Sequence, residues 1–148
     1  MDVSAEIKAK LEPIKLLVMD VDGILTNGTL SFLADGTEVK TFSILDGLGL
    51  KLLMQNGVET AIITGRSSPQ VKLRAESLGI NYTQQGREDK LIALQELWER
   101  TGYSASNTAY IGDDLPDLSA IRASQFGATV PNGYWLVRQH ADWISDKP

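Results

Sequence analysis

Cysteine is absent from the 148 residues, and histidine occurs once, at His140. The first absence excludes disulfides, zinc–thiolate sites and cysteine nucleophiles together, and it fits a reducing compartment. The second leaves no histidine-based metal site or catalytic triad, and His140 itself reads as exposed and structural. Long apolar runs are missing too. None approaches the roughly 20 residues that a membrane-spanning helix needs. Met1 to Lys8 are mixed in charge and lack an apolar core, so no signal peptide is visible. Positive charge is in the minority: 14 Lys and Arg against 19 Asp and Glu give a formal net charge of −5. That balance argues against nucleic acid or an anionic membrane as the partner. An anionic substrate would need cations placed locally, from a metal, Lys or Arg. There are no internal repeats, low-complexity segments or linkers. The expectation is one soluble, cytoplasmic domain over residues 1–148, long enough to bury a core.

What is present is an alternation of strands and helices. Val3, Ile7 and Leu11 recur at a spacing of four, predicting a short amphipathic helix ended by Pro13. Ile14 to Met19 is a continuous apolar run, suited to a strand buried on both faces. Thr29 to Leu33 and Glu38 to Phe42 flank Asp35-Gly36 and predict a hairpin, a flap of about residues 29–42 planted just after the first strand. Asp46 reads as the acidic cap of a helix that stops at Gly57. Glu59 to Thr64 is a second strand, and Ser68-Pro69 opens a helix that ends at Gly79. Ile80 to Thr83 is a weak strand, and Asp89 opens a helix closing at Gly102. Thr108 to Ile111 is the next strand, followed by a short helix from Pro116 through Ile121. Phe126 to Val130, Tyr134 to His140 and Asp142 to Ile144 complete the pattern as strand, helix and strand. This predicts an α/β, doubly wound, mainly parallel Rossmann-like sheet with a small flap and no large cap domain.

The marked residues fall at strand ends. Asp20 and Asp22 follow the first strand, Thr64-Gly65-Arg66 the second, and Gly112-Asp113-Asp114 with Asp117 the strand at 108–111. Lys90 opens the preceding helix. In a parallel sheet all carboxyl ends share one edge, so these groups can converge. Two carboxylates two residues apart repel unless something positive lies between them, and a hard cation such as Mg2+ is the natural partner. Each piece has a plainer reading. Asp20-x-Asp22-Gly23 can be a solvated turn, Asp113, Asp114 and Asp117 helix-dipole acids, Thr64 a β-branched strand end, and Lys90 a solvated lysine. Arg66 and Arg74 are candidates to grip a substrate carboxylate, Arg66 the better by position, though a surface ion pair would look the same. Trp98, Trp135 and Trp143 read as core or interface.

The combination resembles the haloacid dehalogenase superfamily of phosphohydrolases over almost the whole chain. Asp20-Val21-Asp22-Gly23-Ile24-Leu25-Thr26 is similar to its first motif, Thr64 to its second, Lys90 to its third, and Gly112-Asp113-Asp114-Leu115-Pro116-Asp117 to its fourth. The hairpin, Asp46-Gly47-x-Gly49, Ile62-Ile63-Thr64-Gly65-Arg66 and Tyr110-Ile111-Gly112-Asp113-Asp114 narrow it. They closely resemble the family of 3-deoxy-D-manno-octulosonate 8-phosphate (KDO 8-phosphate) phosphatases of lipopolysaccharide precursor synthesis. The resemblance implies Asp20 as nucleophile, forming an aspartyl-phosphate, and Asp22 as general acid and base. It implies Mg2+ held by Asp20, the backbone carbonyl of Asp22, and Asp113. Thr64, Gly65, Arg66 and Lys90 would bind substrate, Thr64 and Lys90 at the phosphoryl group, and Asp114 and Asp117 would hold metal-bound water or orient Lys90. It also implies a homotetramer whose neighbouring subunits complete each site. Family members continue with a glycine-rich, Arg-containing tail that reaches a neighbour's site, whereas the sequence given runs to Asp146-Lys147-Pro148. Two other readings stay open: a phosphatase of a related nine-carbon sugar-acid phosphate, and a non-catalytic phosphatase-like scaffold. Loss of Asp20, Asp22, Lys90 or Asp113 would favour the scaffold, and all four are present.

Overall fold

A computed structural model describes residues 3–148, and Met1 and Asp2, which open the charged stretch read above, lie outside the described residues. Six parallel strands form one sheet in the order β5-β4-β1-β6-β7-β8. They are β1 (Leu16–Met19), β4 (Glu59–Ile63), β5 (Tyr82–Gln84), β6 (Thr108–Ile111), β7 (Phe126–Thr129) and β8 (Trp143–Ile144). Two further strands, β2 (Ser31–Phe32) and β3 (Glu38–Val39), pair antiparallel as a separate ribbon. β1 lies at the centre, paired with β4 on one side and β6 on the other. The chain winds outward first through β4 and β5, then returns across β1 to build β6, β7 and β8. The strand order therefore reverses between β1 and β6, and a ligand crevice is expected at their carboxyl ends.

Alternation along the strands assigns two faces. Leu16 and Val18 of β1, Ala61 and Ile63 of β4, and Tyr110 of β6 pack with Leu94, Leu97, Ile121 and Val137. Those partners come from α4 (Lys90–Thr101), α5 (Leu115–Ala123) and α6 (Trp135–His140). Met19 and Ile62 face the other way, onto α2 (Ile44–Gln55) and α3 (Pro69–Leu78), through Leu50, Val71, Ala75 and Leu78. On that second face α1 (Ala5–Leu11) covers β6 and β7 only in part. An apolar cavity of about 700 Å³ remains there, lined among others by Ile14, Leu17, Ile111, Phe126, Ala128 and Trp143. Among the described residues, no helix is long and apolar enough to cross a membrane.

The elements differ from the sequence-based expectation mainly at their ends. α2 begins at Ile44, capped by Ser43, whose hydroxyl accepts from the N–H groups of Leu45 and Asp46. Asp46 thus sits inside the first turn and is not the cap. The weak strand starts two residues late, because Gly79 takes a left-handed cap (φ 76°) and the Ile80 N–H still donates to Ala75. The hairpin pairs only two residues on each side. Its turn is closed by Asp35, which accepts from the Thr37 N–H, and by the Leu33 N–H donating to Thr37.

Candidate active site

The first strand delivers Asp20 and the turn after it delivers Asp22. The Asp20 N–H donates to the Ile111 carbonyl at 3.0 Å, extending the β1–β6 ladder by one residue, and its side chain is buried. The Val21 carbonyl then accepts from the N–H groups of Ile24, Leu25 and Thr26, winding the chain into a tight turn. Gly23 occupies a left-handed conformation in that turn (φ 91°), and a Cβ there would overlap the Asp113 carboxylate. Glycine is required twice over: for the backbone and for the close approach.

One other strand end and the first turns of two helices converge on the same place. Thr64, buried at the end of β4, donates its N–H to Gln84, and its carbonyl accepts from the Arg87 N–H. Lys90 opens α4 and is only 4% exposed. Its ammonium bridges Asp20 Oδ1 at 2.9 Å and Asp117 Oδ1 at 2.7 Å. Asp117, wholly buried in the first turn of α5, has both oxygens occupied. Oδ1 also accepts from the Tyr110 hydroxyl at 3.0 Å, and Oδ2 accepts from the N–H groups of Asp113 and Asp114. Asp117 is therefore a fixed anchor for Lys90 and for the loop that carries Asp113.

The charges do not balance. Carboxylate oxygens of Asp20, Asp113 and Asp117 lie within 4.8 Å of one another, and Lys90 is the cation between two of them. Burial, the charge of Asp117 and then the opposing pull of Lys90 leave the Asp20 carboxyl raised to about 6. Burial, followed by the charges of Asp20, Asp117 and Asp114, raises Asp113 to about 7. Burial would lower Lys90, but Asp117 and Asp20 outweigh it and the net shift is upward. Asp113 Oδ1 is buried and, among the described residues, has no hydrogen-bond partner. An unpartnered buried carboxylate oxygen, close to two other carboxylates, fits a hard divalent cation.

Asp22 stands apart from that cluster. Its carboxylate turns toward the flap, where Oδ1 accepts from Lys40 Nζ. Lys40 also pairs with Glu38, and Glu38 pairs with Arg66. Of the residues singled out in the sequence, Asp20, Asp22, Thr64, Gly65, Arg66, Lys90, Asp113, Asp114 and Asp117 line one cavity of about 270 Å³, together with Glu88. Arg74 is elsewhere. It donates to the Ser43 carbonyl and lies over the Phe42 ring. His140 is exposed, Trp98 donates to Thr108, and Trp135 is largely exposed. Sequence reasoning missed Lys40 and Glu38. The available signal was their i, i+2 spacing on a flap strand, which puts both on one face.

Fold and site together define the haloacid dehalogenase-like hydrolases, and the profile of that family matches residues 83–148. The KDO 8-phosphate phosphatase KdsC of Escherichia coli (strain K12) is 38% identical over 143 residues, covering 97% of this chain and 76% of that one. The phosphatase from Moraxella catarrhalis, solved with magnesium ion, phosphate ion and KDO, superposes with a TM-score of 0.95 at 50% identity. That match covers 98% of this chain and 83% of the other. The cobalt-bound enzyme of Haemophilus influenzae gives 0.89 at 38% identity, over 93% of this chain and 81% of that one. The chain belongs to the 3-deoxy-D-manno-octulosonate 8-phosphate phosphatase family, a family of sugar-phosphate phosphatases.

Proposed function

We propose that this chain is a Mg2+-dependent phosphomonoesterase that hydrolyses 3-deoxy-D-manno-octulosonate 8-phosphate to KDO and phosphate, in lipopolysaccharide precursor synthesis. The observation that carries it is Lys90, buried between Asp20 and Asp117 while the Asp113 oxygen beside them lacks a partner. An Asp20 carboxylate at a strand end, fixed in direction by the ladder behind it, is suited to attack phosphorus and form an aspartyl-phosphate. Asp22 would protonate the leaving sugar oxygen and later take a proton from water. The Thr64 hydroxyl and the Lys90 ammonium would contact the phosphoryl oxygens, where charge is carried in the transition state. Asp20, Asp113 and the Asp22 backbone carbonyl would hold Mg2+. The ion, when bound, supplies charge neutralisation at the phosphoryl group. Gly65 would let the substrate approach the backbone, and Arg66 would meet the sugar's carboxylate once Glu38 gives way. The magnesium, phosphate and KDO bound by the M. catarrhalis relative support this choice of ligands. The proposal extends to a cytoplasmic homotetramer, since a hairpin this short leaves one side of the cavity open.

The test is phosphate release over a panel of sugar phosphates, with and without Mg2+, using wild type and Asp20→Asn. Turnover of KDO 8-phosphate that needs Mg2+ and falls to background in Asp20→Asn is expected. No turnover of any phosphate ester by folded, Mg2+-supplied protein would leave the scaffold reading standing. Preference for the nine-carbon sugar acid would change the substrate alone.

A further inference from the structure

The flap carries a side chain unlike the others around it. Leu30, Phe32 and Leu33 are between 53% and 59% exposed and Val39 is 41% exposed. The Lys40 side chain, on the same hairpin, is only 3% exposed. A lysine withdrawn from water is stable only when its charge is met, and two carboxylates meet it: Asp22 Oδ1 at 2.5 Å and Glu38 Oε1 at 3.1 Å. Arg66 closes the group, 2.8 Å from Glu38 Oε2, and Gln70 ties the same strand down by donating to the Glu38 carbonyl. Two acids and two bases therefore form a neutral quartet between the flap and the site. Lys40 occupies one oxygen of Asp22. Among the described residues the other, Oδ2, is left with only the longer approach of Arg66 at 3.9 Å.

We propose that Lys40 is a positioning residue for Asp22: from the flap it holds Oδ1, so that Oδ2 is the oxygen presented to the leaving group. The proposal rests on the phosphatase reading and on Asp22 as its acid. In the step concerned, Asp22 has first taken a proton from solvent on Oδ2; an Asp20 oxygen then forms a bond to phosphorus, the ester bond to the sugar oxygen breaks, and that proton passes to the sugar oxygen. Without Lys40 the carboxyl keeps its chemistry and loses its fixed place. An alkyl oxygen leaves poorly without a proton, whereas 4-nitrophenolate leaves unaided. Misplacing Asp22 must therefore slow alkyl esters selectively.

The experiment compares kcat/KM on KDO 8-phosphate and on 4-nitrophenyl phosphate, with Mg2+, for the full chain and for Lys40→Met, Lys40→Arg and Glu38→Gln. This ratio reports the steps up to release of the leaving group, so later hydrolysis of the aspartyl-phosphate does not enter. For Lys40→Met the alkyl ester should lose about 10–10²-fold, a part of what a positioned acid supplies. The aryl ester should stay within about threefold of wild type, well short of that loss. Lys40→Arg should recover most of the alkyl rate. Glu38→Gln loosens the same flap while leaving the bond to Asp22 and freeing Arg66 for the sugar's carboxylate, so it should not lower the alkyl-to-aryl ratio. Should Lys40→Met fail to fold, Lys40→Gln carries the same comparison. Equal losses on both esters, or a change in KM alone, would overturn the role assigned to Lys40 while the phosphatase reading stands. A wild type inactive on both esters would instead sink the phosphatase reading, and the role of Lys40 with it.

Discussion

Asp117 shows how much one side chain can hold. Its two oxygens receive Lys90, Tyr110 and two backbone N–H groups, and water reaches none of them. Asp117→Ala would strand a buried ammonium and release the loop that carries Asp113. A cost of about 3–5 kcal/mol is expected, the usual result of removing one partner from a buried pair. Urea denaturation of wild type and variant measures it, and a loss under about 1 kcal/mol would mean that water had replaced the carboxylate. From its own residues Asp117 was only an acid in a helix's first turn; the orienting of Lys90 was implied by the family resemblance alone. Nothing local separates that from a solvated dipole partner, because its burial depends on Tyr110 and Lys90, which arrive from β6 and α4. Asp20 and Asp22 were legible for the opposite reason: an apolar strand ending abruptly at a carboxylate is a local pattern with a positional meaning.

Elements were legible where a chemical stop marked them. Ser68-Pro69 at the start and Gly79 at the end of α3 are both where the sequence puts them. α2 was misjudged because Asp46 is a good capping residue that lies three positions after a better-placed Ser43, and only backbone geometry tells them apart. The flap was legible as a hairpin but not as a charged clasp, since ion pairs across the site depend on tertiary approach. Its pH behaviour follows from Glu38. Hydrogen bonds from Arg66 and then Lys40 hold the Glu38 carboxyl below its ordinary value. A group depressed on folding stabilises the fold above its unfolded value, and that contribution disappears as pH falls through the folded one. The stability gap between wild type and Glu38→Gln should therefore be full at neutral pH and close at pH values below the ordinary glutamate range. Thermal unfolding of both proteins across that range checks it. A gap independent of pH would mean that Glu38 is not paired in solution.

At the scale of the whole molecule, the doubly wound order and the convergence of strand ends were readable from alternation alone. The surface was not. Phe32 on the flap, with Ile44, Leu45 and Leu48 on the neighbouring helix, are 57–82% exposed. In the proposed tetramer these exposed apolar side chains would form part of the association surface. Light scattering should give the mass of four chains, and Phe32→Glu with Leu45→Glu should reduce it. An unchanged mass would move the contact elsewhere. The partly covered sheet face beside α1 has a different, practical consequence. A cavity of about 700 Å³ lined with Leu17, Ile111 and Phe126 is large enough for a drug-sized apolar molecule. Solvatochromic dyes such as anilinonaphthalene sulfonate should therefore fluoresce with the native chain. Enhancement that rises on cooling through the unfolding transition would locate the dye in the folded groove. For this molecule, bright dye would then be a mark of order.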